Sequence, residues 1–442
     1  MSGEPRAFER GALTWVLGIE DTCVYPTDPG RPALDEHVLT GHSEHWRDDL
    51  TLLKDLGASA VRYGVSWPLV HVSPEEFDWT VLDEVVGYAV DELGLTIVAD
   101  LVHYGTPPWL ERSFADAGYP SAIEAFSSAC AARYLGRISH FTPLNEPVTT
   151  ASFCGLRGVW PPALTGWSGW VAVGVPIALG LVRSTLAIRA VNPDAVIVHV
   201  EASTLIDTGD HELASHARLL RDIGWLPTDL MTGAVDRDHP MHAWLLEHGA
   251  RAEDLDWLVT NAVEPDVIGV NYYPDLTPRH LEVVDGHMMQ VSYDRWTPGL
   301  REALKGFADR YRLPLAVTET SIEGPDKIRE KWLRDSVAEV NALREEGVDI
   351  RGYTWWPLFD FVDWSWAAGG ANVEEFAVVK SHADGTTSVG LAPSLGDPTD
   401  GKTAFLRRMG VVRLEEQPDG SLTREETSAA RAFRQLAAGE ER

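Results

Sequence analysis

The sequence lacks the features that mark disulfide-rich, membrane-spanning or nucleic-acid-binding proteins. Its three cysteines, Cys23, Cys130 and Cys154, form no Cys-x-x-Cys motif, and an odd number makes a poor disulfide framework. The longest apolar run, Trp170 to Val182, is shorter than a membrane span. Basic residues are scarce, since 37 Lys and Arg accompany 67 Asp and Glu and give a net charge of -30. Because nucleic acids and anionic membranes attract clustered basic residues, we expect neither as a partner.

The first ten residues, MSGEPRAFER, are polar and lack the apolar segment of a signal peptide. We therefore predict a cytoplasmic protein. The oligomeric state is left open by the sequence, and a homo-oligomer is compatible with it.

Short β-prone runs alternate with segments of helical period along the chain. Strands separated by helices pair in parallel through right-handed crossovers, so eight such units predict a (β/α)₈ TIM barrel, an α/β fold with long βα loops. An open doubly wound sheet is the alternative, but no Gly-x-Gly-x-x-Gly turn follows the first strand. The predicted strands are Leu13–Ile19, Ala60–Trp67, Leu95–His103, Ile138–Asn145, Ala195–Glu201, Val267–Tyr272, Leu315–Glu319 and Gly352–Pro357.

The whole chain, residues 1–442, is predicted to form one domain. Residues 367–401 are rich in Gly, Ser, Asp and Thr and follow the last predicted strand. We predict a long loop there, at the face of the barrel that carries active sites.

Two glutamates end predicted strands and suggest a reaction. Glu146 precedes Pro147, which cannot continue a sheet ladder, and Glu319 ends the seventh strand. Acetal cleavage needs one protonated acid for the leaving oxygen and one ionised acid at the sugar carbon. Arg62, at the end of the second strand, is expected to keep one of them charged. The pair could instead bind a metal, but no His-x-x-x-His or clustered Asp/His spacing accompanies it, so we expect no metal and no cofactor.

Six segments, in order, carry a resemblance to a known family. The chain resembles glycoside hydrolase family 1, the β-glucosidase-like retaining enzymes, nearly from end to end. "FTPLNEP" is similar to the family's Thr-x-Asn-Glu-Pro motif, and "LAVTETS" is similar to Ile-Thr-Glu-Asn-Gly. The other four matching segments are "VRYGVSWPLV", "LVHYGTPPWL", "DVIGVNYYP" and "EEGVDIRGYTWWPLFDFVDW".

The resemblance implies a role for each matching residue. Glu146 would be the acid/base and Glu319 the nucleophile, with Arg62 and Tyr273 holding the nucleophile. Asn145 would bind the sugar 2-hydroxyl. The remaining substrate-binding residues implied are His103, Asn271, Trp356, Asp363 and Trp364.

Several positions depart from the family pattern. Gly18 replaces a glutamine that grips two sugar hydroxyls, Asp363 replaces a glutamate, and Tyr104 and Gly105 replace a tryptophan and an acid. The catalytic pair is intact while the outer glycone contacts are changed, so we predict an unusual glycone: a deoxy sugar, a pentose or a modified hexose. A phosphorylated sugar is less favoured, because acids follow Asp363 in the sequence where a phosphate needs basic residues.

These observations predict a retaining β-glycosidase that hydrolyses a small-molecule β-glycoside or an oligosaccharide by double displacement. A transglycosidase would use the same residues, because water and a sugar hydroxyl compete for one intermediate. A non-catalytic sugar-binding barrel and a polysaccharide-cleaving barrel are further alternatives.

Overall fold

The computed structural model describes residues 7–26, 32–284, 286–371, 373, 377–381, 387–391, 396 and 398–440. Eight parallel strands close into a barrel in which each strand pairs with the next along the chain and the eighth pairs with the first. This confirms the predicted (β/α)₈ architecture. In chain order the strands are β1 Thr14–Gly18, β2 Ala60–Gly64, β3 Thr96–Asp100, β4 His140–Thr142, β5 Val196–Ala202, β6 Val267–Asn271, β7 Leu315–Glu319 and β8 Ile350–Trp355.

The strands are nearly continuous apolar runs because both of their faces are buried. Inside the barrel, small and branched side chains form a compact cluster that includes Val16, Ala60, Val98, Val198 and Ala316. A much larger apolar cluster fills the space between the outer strand faces and the helices. The barrel is therefore a packed scaffold, and its polar groups collect at the carboxyl ends of the strands.

Helices cover the barrel between successive strands. The α-helices are Glu36–Leu39, His42–Asp55, Trp67–Val70, Thr80–Val86, Tyr119–Arg133, Pro147–Ala151, Gly166–Val191, Ala214–Met231, His242–Glu247, Ala252–Thr260, Trp296–Tyr311, Asp326–Glu345 and Ser428–Ala437. Two of them continue as π-helical turns, Gly87–Glu92 and Ser152–Leu156. Short 3₁₀ turns lie at Ser113–Ala115, His211–Leu213, Trp364–Trp366, Pro398–Asp400 and Lys402–Phe405.

One helix in the described ranges, Gly166–Val191, is long and apolar enough to cross a membrane by length and composition. In its most apolar window 67% of the residues are buried inside the molecule, and the helix packs on Tyr119–Arg133. Such burial is typical of a core helix. The sequence pattern predicts a start at Ile177, but the helix continues through Pro176, because this packing outweighs the lost backbone hydrogen bond.

The βα loops after β5, β6 and β8 build a second sheet at the carboxyl end of the barrel. It contains Leu205–Asp207, Pro278–Val284, His287–Ser292, Ala377–Ser381 and Thr387–Leu391. The last two strands fall in the segment 367–401 that was predicted to be a loop, so its described part is not structureless. The strand pattern was missed because glycine and polar residues surround it. The single-domain organisation stays a prediction. Shorter paired strands are Cys23–Val24 with Leu34–Asp35, Phe361–Val362 with Leu406–Arg407, and Val412–Glu416 with Leu422–Glu426.

Candidate active site

The chain turns sharply at Glu146, just beyond β4. The Glu146 N–H donates to the Val200 carbonyl of β5 at 3.1 Å, and Glu146 has φ 42° and ψ 69°, in the left-handed region. Pro147 then begins the helix Pro147–Ala151. Proline disfavours the right-handed α conformation at the residue before it and suits the first turn of a helix, which agrees with the end of one element and the start of the next at this point. Left-handed backbone at a residue other than glycine is costly and concentrates at functional sites.

The carboxylate of Glu146 accepts hydrogen bonds from neutral groups. The Tyr104 hydroxyl donates to Oε2 at 2.8 Å, and Asn271 Nδ2 donates to Oε1 at 2.8 Å. The Asn271 amide is oriented by Thr318, whose hydroxyl donates to Asn271 Oδ1 at 2.7 Å. Both oxygens of Glu146 are thus fixed, and the residue is only 7% exposed.

The carboxylate of Glu319, at the end of β7, has a charged partner. Arg62 Nη1 donates to Oε1, and the Tyr273 hydroxyl donates to Oε2 at 2.7 Å. Burial raises the pKa of Glu319 to about 7. The nearby Glu146 adds to that rise, while Arg62 and the Tyr273 hydroxyl oppose it. Arg62 lies on Glu319 as we expected, but the cost of burial outweighs its stabilisation of the ion.

Arg62 joins three side chains through one guanidinium. Besides Glu319 on Nη1, its Nη2 donates to Asp100 Oδ2 and, at 2.7 Å, to Asn145 Oδ1. Burial lowers the pKa of Arg62, but the carboxylates of Asp100 and Glu319 raise it above its ordinary value, so the guanidinium is charged. Arg62 therefore holds the nucleophile candidate and also fixes which way the Asn145 amide points.

His103 lies between two carboxylates. Its Nδ1 is 3.0 Å from Asp100 Oδ2 and 2.7 Å from Asp21 Oδ1, while Nε2 is 3.2 Å from Asn145 Nδ2. Burial lowers the pKa of His103, but Asp21 and Asp100 raise it well above the usual range. The ring also stacks on Trp356, with centroids 6.1 Å apart and an interplanar angle of 11°.

Aromatic rings line the same region. Trp364 packs against Tyr104, Phe153 and Trp160, with ring centroids 5.0–5.4 Å apart. The indole N–H groups of Trp356 and Trp364 are buried and have no acceptor among the described residues. Flat rings with unused donors suit a sugar, which offers apolar C–H faces and hydroxyl oxygens.

A cavity of about 230 Å³ opens beside Glu146. Glu146, Asn271 and Tyr273 lie in its wall, whereas Glu319 and His103 do not. The cavity therefore extends away from the Arg62 side of the site. Its further lining includes Val148, Phe153, Arg157, Trp167, Trp170, Ile223, Leu276, Arg279 and Trp364.

Comparison with known proteins agrees with this geometry. The model of the family described as "Glycosyl hydrolase family 1" matches residues 32–370. The chain belongs to glycosyl hydrolase family 1. It is a glycoside hydrolase of the retaining β-glycosidase type.

Individual relatives are distant. A bifunctional β-D-glucosidase/β-D-fucosidase of Bifidobacterium breve is 25% identical over 438 residues, covering 82% of this chain and 91% of that protein. The 6-phospho-β-glucosidase GmuD of Bacillus subtilis is 21% identical, with 78% and 83% coverage. The β-glucosidase from Thermotoga maritima in complex with glucoimidazole superposes with a TM-score of 0.77 at 17% identity, over 99% of this chain and 100% of that one.

The structure explains one departure from the family 1 pattern. A Cβ atom at Gly18 would lie 2.3 Å from Trp356 Cδ1, closer than two carbon atoms can approach. The Trp356 indole therefore occupies the space that a side chain at position 18 needs. In this family 1 enzyme, a glutamine at position 18 is incompatible with the observed position of the Trp356 indole.

Asp363 is engaged with protein groups. Its Oδ1 accepts from the Ser365 N–H at 2.9 Å and from the Ser365 hydroxyl, which caps the turn Trp364–Trp366. Its Oδ2 lies 3.7 Å from Arg407 Nη1. Arg407 also donates to Glu323. The contact of Asp363 with a glycone stays a prediction.

Three groups near the site were not singled out from the sequence. Asp21 and Asp100 contact His103, and Arg407 lies by Asp363. Glu201, which ends its predicted strand, is among the polar strand-end residues of the sequence, and its Oε1 accepts from the Val148 N–H at 3.2 Å. Asp100 ends β3, so the rule that strand ends carry polar groups could have found it. No sequence pattern marks Arg407 as a site residue, because its contact with Asp363 depends on how the segment after β8 folds back onto the barrel.

One group in the described part of the chain has the spacing of a metal site. Ligand atoms of Asp21, Asp100 and His103 lie within 4.8 Å of one another. Both carboxylates approach the same nitrogen, Nδ1, and Asp100 also accepts from Arg62. A metal ion there would have to bind the Nδ1 lone pair next to a charged guanidinium. The two carboxylates therefore fit a ring that carries a proton on Nδ1 better than a metal-bound ring. That the enzyme uses no metal stays a prediction.

Proposed function

We propose that this family 1 enzyme hydrolyses a β-glycoside by double displacement, with Glu319 as nucleophile and Glu146 as general acid/base. The observation that carries the proposal is the contrast between the two carboxyl groups. Glu319 has Arg62 and Tyr273 to stabilise its ionised form, whereas Glu146 has neutral partners and borders the cavity. An ionised nucleophile and a protonated acid are the pair that this chemistry needs.

In the first step, an oxygen of Glu319 attacks the anomeric carbon. The bond to the leaving oxygen breaks while Glu146 donates its proton to that oxygen, and the leaving group lies in the cavity beside Glu146. In the second step, Glu146 takes a proton from water, and the water oxygen displaces Glu319 from the sugar. The two displacements retain the anomeric configuration, and we expect the two carboxyl groups to lie about 5–5.5 Å apart.

The remaining residues would hold the glycone. Asn145, fixed by Arg62, would bind the 2-hydroxyl, where contacts strengthen in the transition state. His103 would contact another hydroxyl through Nε2, and the indole N–H groups of Trp356 and Trp364, which have no acceptor in the described part of the chain, would donate to others. Asn271 would act chiefly on Glu146.

Covalent trapping tests this assignment directly. An activated 2-deoxy-2-fluoro β-glycoside should label the enzyme stoichiometrically, and peptide mapping should place the sugar on Glu319. Asp229, a buried aspartate on Ala214–Met231 that pairs with Arg310, gives a matched control, because Asp229→Asn should label normally. Label on another residue, or none in an enzyme that turns over the parent glycoside, would refute the proposed nucleophile.

We propose that the glycone is a sugar whose binding does not require a side chain at position 18 to form hydrogen bonds with two of its hydroxyls. Gly18 cannot carry a side chain while Trp356 is in place, and the oxygens of Asp363 are engaged. A panel of 4-nitrophenyl β-glycosides should show faster turnover of the fucoside or xyloside than of the glucoside. The relative from Bifidobacterium breve is named for both glucoside and fucoside activity. Fastest turnover of the plain glucoside would contradict the proposal.

A 6-phosphoglycoside belongs in the same panel. Two relatives from Bacillus subtilis are named a 6-phospho-β-glucosidase and an aryl-phospho-β-D-glucosidase, and Arg407 lies near Asp363. We rank this substrate lower because Arg407 already contacts two carboxylates, those of Glu323 and Asp363. A preference for the phosphorylated glucoside would reverse that ranking.

Transfer to a sugar acceptor is the second candidate outcome, because the cavity beside Glu146 could hold an acceptor as well as a leaving group. The ratio of released phenol to free sugar separates the two, since hydrolysis gives equal amounts and transfer gives less free sugar. A cytoplasmic location, a homo-oligomer and the absence of nucleic-acid and membrane partners stay predictions.

A further inference from the structure

The strongest feature beyond the proposed catalytic pair is a chain of five buried titratable groups that ends at Glu319. In order of contact they are Asp21, His103, Asp100, Arg62 and Glu319. Every one of these side chains is at most 3% exposed. Buried charges are costly unless they are paired, so an unbroken chain of this length needs an explanation.

The first part of the chain fixes a proton. Because Nδ1 of His103 faces two carboxylate oxygens, it must carry a hydrogen. The other nitrogen, Nε2, lies 3.2 Å from Asn145 Nδ2, and that amide cannot flip because its Oδ1 accepts from Arg62. Because the amide nitrogen is a donor, Nε2 is the acceptor of this hydrogen bond, and the amide also donates to the Tyr104 hydroxyl at 3.0 Å. Asp100 and Arg62 together therefore fix the orientation of His103 and Asn145.

The second part of the chain concerns the nucleophile. Arg62 serves Asp100 and Glu319 at once, so its charge is divided between two carboxylates. Because Arg62 is shared between two carboxylates, it lowers the pKa of Glu319 only in part, which agrees with the value of about 7. When Glu319 becomes a neutral ester in the glycosyl-enzyme, Arg62 still has Asp100 as its counter-ion. Without Asp100, that step would leave a buried guanidinium without an anionic partner, which is strongly unfavourable.

We propose that Asp100 is a positioning residue of this enzyme: it orients His103 through Nδ1 and serves as the counter-ion of Arg62 while Glu319 is esterified. The counter-ion role rests on the proposed role of Glu319, and the contact with His103 does not. Asp100 does not touch the sugar in this scheme. Its effect passes through His103 and Arg62.

Other titratable groups face the chain. Glu20 and His37 act on His103, and Glu146 and Tyr273 act on Glu319. Burial raises the pKa of Glu20 to about 8, and burial together with neighbouring histidines lowers that of His37 to about 3. His37 therefore stays neutral where Glu319 titrates, near pH 7, whereas the titration of Glu20 overlaps the upper part of that range.

Kinetics with Asp100→Asn tests the counter-ion role. Removing the negative charge frees Arg62 for Glu319, so the acidic limb of kcat/KM on an activated aryl glycoside should move down by about one pH unit. The rate of formation of the 2-fluoroglycosyl-enzyme should fall at the same time. Asp229→Asn, which removes a buried aspartate paired with Arg310 elsewhere, should leave the limb unchanged. An unmoved limb in Asp100→Asn would overturn this role.

Nitrogen-15 NMR of histidine-labelled protein tests the contact between Asp100 and His103 without using activity. The His103 signals, identified by their absence in His103→Gln, should show a proton on Nδ1 at about pH 8. A parent enzyme whose His103 carries no proton on Nδ1 at about pH 8 would refute this contact, even if Glu319 were shown to be the nucleophile.

Discussion

Glu146 and Glu319 have the same side chain and similar burial, but the groups around them differ in charge. Tyr104 and Asn271 hold Glu146 with neutral donors, and a cavity opens beside it. Glu319 is held by Arg62 and Tyr273 and is connected through Arg62 to Asp100 and His103. The comparison shows that both carboxyl groups owe their place to a strand end, whereas the neighbouring side chains determine whether each one is suited to act as the acid or as the nucleophile.

The comparison also shows what a charged neighbour can and cannot do. Arg62 is in direct contact with Glu319, yet the pKa of that carboxyl is raised to about 7 because burial is the larger effect. A guanidinium shared by two carboxylates is a partial counter-ion for each. The following changes test the difference between the two sites, from the largest expected effect to the smallest.

Glu319→Ala removes the proposed nucleophile. We expect hydrolysis to fall by about 10⁴-fold or more, because the double displacement has no first step. Azide or formate should restore part of the turnover of an activated aryl glycoside by occupying the vacated space. Asp229→Asn is the control for loss of a buried carboxylate, and rescue of that variant by azide would show that the effect is not specific.

Glu146→Ala removes the proposed acid. Substrates with poor leaving groups should lose about 10²–10⁴-fold in turnover, because they need a proton on the departing oxygen. Activated aryl glycosides should lose far less in the first step. Equal losses for both substrate classes would contradict the acid role and remove the distinction between the two glutamates.

Tyr273→Phe removes one hydrogen bond from Glu319. That bond lowers the pKa of Glu319, so its loss should move the acidic limb of kcat/KM upward and reduce kcat/KM by about 10-fold or more. Tyr104→Phe is the matched change on the other side, because it removes the equivalent donor from Glu146. The acidic limb of that variant should stay in place, and a shift of the same size in both variants would show that the two sites are not separate.

The parent enzyme should have an acidic limb near pH 7. Attack requires the ionised form of Glu319, whose pKa is raised to about 7, so kcat/KM should rise as the pH increases through this value. Measurements on an activated aryl glycoside between acidic and neutral pH give the limb directly. A constant kcat/KM down to about pH 5 would mean that Arg62 outweighs burial after all.

Most of the barrel could be predicted because its signal is local. Each strand is an apolar run bounded by a helix of amphipathic period, as in Ala60–Gly64 followed later by Thr96–Asp100. The strand ends then pointed to Glu146 and Glu319. The sheet formed by Ala377–Ser381 and Thr387–Leu391 was missed, because its pairing partners lie far away in the sequence and its glycine-rich surroundings resemble a loop.

The sequence by itself determined the eight strands, the Asn-Glu-Pro corner at Glu146 and the likeness to a glycosidase family. Each of these depends on neighbouring residues: apolar period, the restriction that proline places on the residue before it, and short motifs. Only the tertiary structure decided that Trp356 fills the space at Gly18, and that Asp21 and Asp100 meet at one nitrogen of His103. The contacts of Trp356 with Gly18 and of Asp21 with His103 join the ends of different strands, which closure of the barrel brings within reach, whereas Asp100 and His103 are only three residues apart.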